Sequence, residues 1–260
     1  MATTATPTSE PSGDPTLGAA TVDTADAWML HLDRSEQSGI ATMQVLNAVG
    51  FGLTAVGWGT ALALADNPST STKITYAGSA ALAVGLTATS LMIEDPDWAN
   101  MVSSLGWLAH VGILADAYTL NTHDPCRSDC KRIFATDTAA TVAAALYLVV
   151  MQLVNPPVWV SKHYAAYQRL PLNEQRVKFS LALLREQERR AEITNYSSLI
   201  FALALAAAYT VGAVQAESSG TRTYLGVTAA TIAGIQGIIF VSNLFSSRPS
   251  VKLFAGQQPD

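Results

Sequence analysis

The chain has 260 residues, 49% hydrophobic and only 13% charged, with a formal net charge of -5 at pH 7. A soluble domain normally carries about 25% charged residues, so the composition points away from a water-facing exterior. The 15 lysines and arginines form no concentrated basic patch of the kind nucleic acid demands, which excludes that class of partner.

Residues 1–39 read as a tail. Residues 1 to about 22 mix Thr, Ala, Pro, Ser and Gly with almost no large apolar side chain, and such a segment cannot offset its ordering entropy by burial. The first basic residue is Arg34, preceded by Glu10, Asp14, Asp23 and Asp26. That order fits neither a secretory signal nor a mitochondrial presequence, so insertion is expected to rely on the first membrane helix. A short amphipathic pattern occupies 24–36, where Ala25, Trp28, Met29 and Leu32 share a helical face. Thr24 is the expected N-cap and Gly39 the expected stop. The face suits a membrane surface, with Trp28 at headgroup depth, a partner, or loose docking on the chain's own bundle.

Six apolar stretches free of lysine and arginine then account for more than half of the chain: Met43–Ala65, Ile74–Ile93, Asn100–Leu120, Ala135–Val160, Tyr196–Ala216 and Tyr224–Phe245. Each approaches the ~20 residues that a helix needs to cross a ~30 Å hydrocarbon core. Backbone groups in hydrocarbon must be paired internally, and the period-two alternation of a barrel is absent, so the expected fold is an all-α, polytopic membrane protein. The expected layout is four membrane helices in 40–160, a connecting segment in 161–195, two more helices in 196–246, and a C-terminal tail in 247–260. Ten basic residues fall on the side of the tail and the 161–195 connection, and five on the other. The positive-inside rule therefore puts both termini on the cytoplasmic side.

Within 161–195, Asn173 can cap a helix that presents Val177, Leu181 and Leu184 on one face and Arg185, Arg189 and Arg190 elsewhere. Glu174 and Lys178 stand at i, i+4 in the favourable order. The helix has no breaker before Tyr196 and can run on into the fifth membrane segment.

Candidate site residues are few. Small residues four apart, among them Gly59, Gly85 and Gly234, suit close helix packing, and Gln152, Gln236 and Asn243 suit hydrogen bonds between helices. His110, at the centre of the third stretch, is the right type for a haem or pigment ligand or a proton relay, or for a neutral bond to a neighbouring helix. Asp116 lies on a different face of the same stretch and is a candidate for an ion pathway. The loop from His123 to Cys130 holds both cysteines, Cys126 and Cys130. Three readings stand: a disulfide, two thiols, or a metal site with His123, although the spacing matches no zinc module.

No membrane stretch contains a lysine to carry retinal, and no phosphate loop, nucleophile elbow or paired membrane carboxylates are seen. The sequence thus favours a non-catalytic structural or accessory subunit of a larger membrane assembly, such as a respiratory, photosynthetic or virion membrane complex. Its expected partners are the bilayer and other membrane subunits or further copies of itself. The alternative is a small-solute or ion transporter or channel using His110 and Asp116. No cofactor is named by the sequence.

Overall fold

A computed structural model describes residues 17–64, 70–106, 108–109, 128–245 and 248–259. Among these residues every regular element is a helix. The principal ones are α1 (Val22–Leu64), α2 (Thr70–Met92), α3 (Ser128–Val154), α4 (Val160–Gln168), α5 (Glu174–Val214), α6 (Ser219–Leu244) and α7 (Pro249–Phe254), and residues 96–106 are helical between α2 and α3. Five helices, carried by α1, α2, α3, α5 and α6, are long and apolar enough to cross a membrane. The third expected stretch, Asn100–Leu120, lies largely outside the described residues, as does the tail up to residue 16.

Local chemistry explains the helix ends. Thr21, not Thr24, caps α1: the Thr24 amide donates to Thr21 Oγ1 at 3.2 Å, and the Thr21 amide donates to Thr24 Oγ1 at 2.9 Å. This reciprocal pair satisfies two donors that a helix start leaves without partners. The expected stop at Gly39 does not occur, and α1 runs through it for 43 residues. An internal glycine costs a helix only about 1 kcal/mol, too little to end one that neighbours hold in place. The fourth apolar stretch stops short of Val160, because Pro156 keeps Asn155 out of the helical region and α3 ends at Val154. Asn173 does cap α5, accepting from the Gln175 amide at 2.9 Å, and α5 then continues unbroken for 41 residues.

The chain divides into two compact units. Unit 1 comprises α1 up to Ser35, α4, α5 up to Glu188, and the C-terminal segment with α7. Its core joins Ala25, Trp28 and Met29 of α1 to Val177, Leu181 and Leu184 of α5, with Tyr167 of α4 and Leu253 of α7. The amphipathic face of α1 thus packs inside this unit. Trp28 is buried and donates its indole N–H to the Gln257 carbonyl at 2.7 Å. The C-terminal residues, expected as a tail, fold onto the same core, where Glu188 accepts from the Ser250 amide at 2.7 Å and from its hydroxyl at 2.6 Å. Gly18 is required where the chain meets α7: its φ is +58°, and a Cβ there would lie 2.5 Å from the Phe254 carbonyl oxygen.

Unit 2 comprises residues 36–159 and 189–246. Here the 96–106 helix meets α1 and α2 at Gly106, where a Cβ would lie 2.8 Å from the ring of the fully buried Phe51 and 3.2 Å from the Leu86 side chain. Asn47 accepts from Ser103 at 3.2 Å, and Gln44 donates to the Ile93 carbonyl at 2.5 Å. A second set of contacts joins α3, α5 and α6 through polar rungs. Tyr147 meets Ser197 at 2.9 Å, Gln236 donates to Ser198 at 2.8 Å, and Asn243 donates to Asn195 at 3.1 Å. Gln236 and Asn243 therefore bond across helices as their sequence positions suggest.

The exterior is apolar. No more than 22% of any of the five apolar windows is buried inside the chain, and Leu53, Val56, Leu153, Ile200 and Ile238 stand exposed. Leu184, by contrast, is fully buried in unit 1. Leu184→Ala is expected to destabilise the protein by about 2–5 kcal/mol, whereas Leu172→Ala, at an exposed position of the same unit, should change little. Thermal unfolding of the two variants in the same detergent checks this.

Candidate functional site: a buried carboxylate between two tyrosines

The most distinctive polar cluster of unit 2 centres on Asp137. Intramembrane ionisable residues were expected at His110 and Asp116, but Asp137 also falls inside an apolar stretch, and it is only 3% exposed. Tyr209 of α5 donates to Asp137 Oδ1 at 2.7 Å, and Tyr224 of α6 donates to Oδ2 at 2.9 Å. Each oxygen of one carboxylate on α3 is thereby tied to a different helix.

The connection between α5 and α6 sets this geometry. α5 ends at Val214 and α6 begins at Ser219, with the Ser218 hydroxyl accepting from the Thr221 amide at 3.2 Å as N-cap. So short a link makes the two helices antiparallel neighbours. Tyr209 lies five residues before the end of α5 and Tyr224 five residues after the start of α6, so both phenols reach the same depth. Gly212 lets the helices close up there: a Cβ on it would touch Leu225 at 3.3 Å and lie 3.9 Å from Thr136 Oγ1 of α3. Ile133, Ala206, Ala213, Leu225 and Ala229 complete the apolar shell. Phenol-to-carboxylate bonds are charge-assisted, which suits a carboxylate withdrawn from water. The cluster can act as a joint among three helices, and its carboxylate can accept a proton.

Unit 1 holds a second polar cluster. The Arg176 Nη1 group donates to both oxygens of Asp26, at 3.0 and 3.1 Å, and Tyr167 donates its hydroxyl to Asp26 Oδ1. The same guanidinium closes the end of α4, donating to the Gln168 carbonyl at 2.9 Å and the Leu170 carbonyl at 3.0 Å, and it stacks 5.2 Å over the Tyr167 ring. One arginine thus serves carbonyls that a helix end leaves without partners and fastens α1 to α4 and α5. A cavity of about 470 Å³ opens beside it, lined by Asp26, Leu30, Tyr164, Tyr167, Gln168 and Arg176. Burial, reinforced by the hydrogen bond to Asp26, pushes the Tyr167 phenol well above its ordinary range.

Other sequence candidates are placed differently. His110, Asp116, His123 and Cys126 lie outside the described residues, and of Cys130 only the backbone, in the first turn of α3, is described. Gly59, Gly85 and Gly234 lie in α1, α2 and α6, and among the described residues a Cβ on any of them would meet no atom within 4 Å beyond its own stretch of helix. Among the described helical glycines, close approach occurs at Gly106 and Gly212. Among the described residues, no group of three or more His, Cys, Asp or Glu side chains is arranged to hold a metal ion. The signal for Asp137 was its acidic side chain inside a lysine- and arginine-free stretch, where an ionisable group is unusual.

No family model matches the chain, and neither a curated protein nor a solved structure matches it significantly.

Two expectations follow. Tyr209→Phe and Tyr224→Phe should each lower stability by about 1–2 kcal/mol, the range for a hydrogen bond to a charged group tempered by the smaller values seen between membrane helices. Helix content against temperature or denaturant in detergent checks this. The raised Tyr167 phenol favours the folded state while it stays protonated in both states. That contribution is complete below the unfolded-state value of about 10 and is lost progressively above it, as pH rises through the raised folded-state value. The alkaline limb of a stability profile should therefore be less steep for Tyr167→Phe than for the unsubstituted chain.

Proposed function

We propose that this chain is a non-catalytic, multi-pass integral membrane protein that serves as a structural or accessory subunit of a larger membrane assembly. In this reading it has six spans, the sixth supplied by Asn100–Leu120, and both termini on the cytoplasmic side.

The supporting observation is where the glycines of the apolar helices stand. Gly52, Gly57, Gly59, Gly78, Gly85, Gly234 and Gly237 leave open space where a side chain would be, next to exposed apolar residues such as Leu53, Val56, Val84 and Ile238. Lipid gives apolar helices no hydrophobic reason to associate, so close approach at small residues is a principal source of helix contact. Among the described residues no side chain packs against these positions, and a neighbouring subunit can. The polar groups of α3, α5 and α6, meanwhile, pair those helices with one another.

Gly59→Leu and Gly234→Leu are expected to leave the melting of the isolated chain nearly unchanged while reducing the size of the particle it forms with its partners or with itself. Light scattering after gel filtration in mild detergent measures this. Particles of unchanged size for both variants would remove the support for an assembly role.

Asp137 favours a second reading, transport of a small solute or ion. An acid within a span is by default a functional candidate, and Asp116 and His110 of the third stretch would join it on such a pathway. Flux into liposomes by the pure protein, abolished by Asp137→Asn, would put this reading first.

A further inference from the structure

An open groove of about 420 Å³ runs between α5 and α6. Ala206, Thr210 and Ala213 form one wall, Gly226, Ala230 and Ala233 the other, and Arg222 stands at one end. Neither Asp137 nor its two tyrosines line it. Thr210 turns its hydroxyl back to the Ala206 carbonyl at 2.8 Å, so it adds no polar demand to the wall.

Arg222 is an exposed cation in the first turn of α6, where an apolar span begins. Among the described residues it donates one N–H, to the Ala216 carbonyl at 3.1 Å, and the rest of its five-donor fork suits a further acceptor. A cation at the edge of hydrocarbon is costly unless it reaches the headgroup layer or meets an anion. The volume lies within the roughly 300–1,000 Å³ of small-molecule pockets. The two walls each run about 10 Å, seven residues at 1.5 Å apiece, and the groove is open along one side. An apolar groove with a phosphate-matching fork at its end has the chemistry of one ligand class.

We propose that this groove seats an acyl chain of an anionic phospholipid whose phosphate pairs with Arg222. The proposal rests on the membrane reading above but not on the assembly role.

The test is native mass spectrometry of the full chain in neutral detergent, titrated with phosphatidylglycerol, with phosphatidylcholine of the same acyl chains, and with inorganic phosphate. Phosphatidylglycerol should be retained about tenfold better than phosphatidylcholine, as one charge-assisted pair supplies. Inorganic phosphate should not displace it. Arg222→Gln should erase the headgroup preference and leave weak retention of both lipids. Gly226→Leu should lower retention of both, because the new side chain fills the groove; its Cβ meets no atom within 4 Å, so the fold is kept, as melting confirms. Equal retention of the two lipids by the unsubstituted protein would overturn the proposal, as would a preference that survives both substitutions or displacement by phosphate alone. A dimer lost on Gly226→Leu would also overturn it, giving the groove to a second copy. If the protein stays dispersed without detergent and retains no lipid, the membrane reading falls with it. If it needs detergent yet shows no headgroup preference, only the lipid site falls.

Discussion

A carboxylate placed in an apolar span must be given hydrogen-bond donors, and Asp137 receives them from two other helices. Each phenol reaches one carboxylate oxygen. Because the partners sit on α5 and α6, satisfying the one acid fixes the register of three helices at once. The short link between α5 and α6 sets the depth of both tyrosines, and Gly212 sets how closely the helices approach. Further along, the Tyr147–Ser197, Gln236–Ser198 and Asn243–Asn195 pairs repeat the principle with neutral groups. Hydrophobicity holds such helices in a membrane but does not choose their partners, so polar rungs and small residues must.

Unit 1 follows the rules of a water-exposed domain. Its amphipathic helices bury one face in a common core, and its charges pair near the surface, as Arg176 does with Asp26 and Lys178 with Glu174 at 3.8 Å. Tryptophan and tyrosine give it specificity as well as volume, since the indole and phenol groups reach fixed acceptors at Gln257 and Asp26.

Much of this was legible in the sequence, for identifiable reasons. Apolar runs set the helices because hydrocarbon leaves the backbone no other partner. The spacing of Val177, Leu181 and Leu184 marked a buried face because that stretch is amphipathic, and Asn173 marked the start of α5 because its side chain can accept from the first turn. The failures have physical causes too. Gly39 failed to end α1 because one glycine is a weak breaker, and Thr21 took the cap from Thr24 because both residues can. Asp137 was hidden by averaging, since one acid hardly changes the hydropathy of a long stretch. The inward face of an all-apolar helix was illegible because both faces look alike to a hydropathy scale. Rows of small residues at Gly59, Gly85 and Gly234 therefore could not be told from the close contacts at Gly106 and Gly212.

In the proposed reading the apolar exterior meets lipid and neighbouring subunits. The most direct test is the size and composition of the particle extracted from native membranes in mild detergent, by native gel and mass spectrometry. The chain is expected to stay with the membrane fraction until detergent is added, then to run as a large particle with reproducible partners. A chain released without detergent, or a lone monomer in detergent, would contradict the reading.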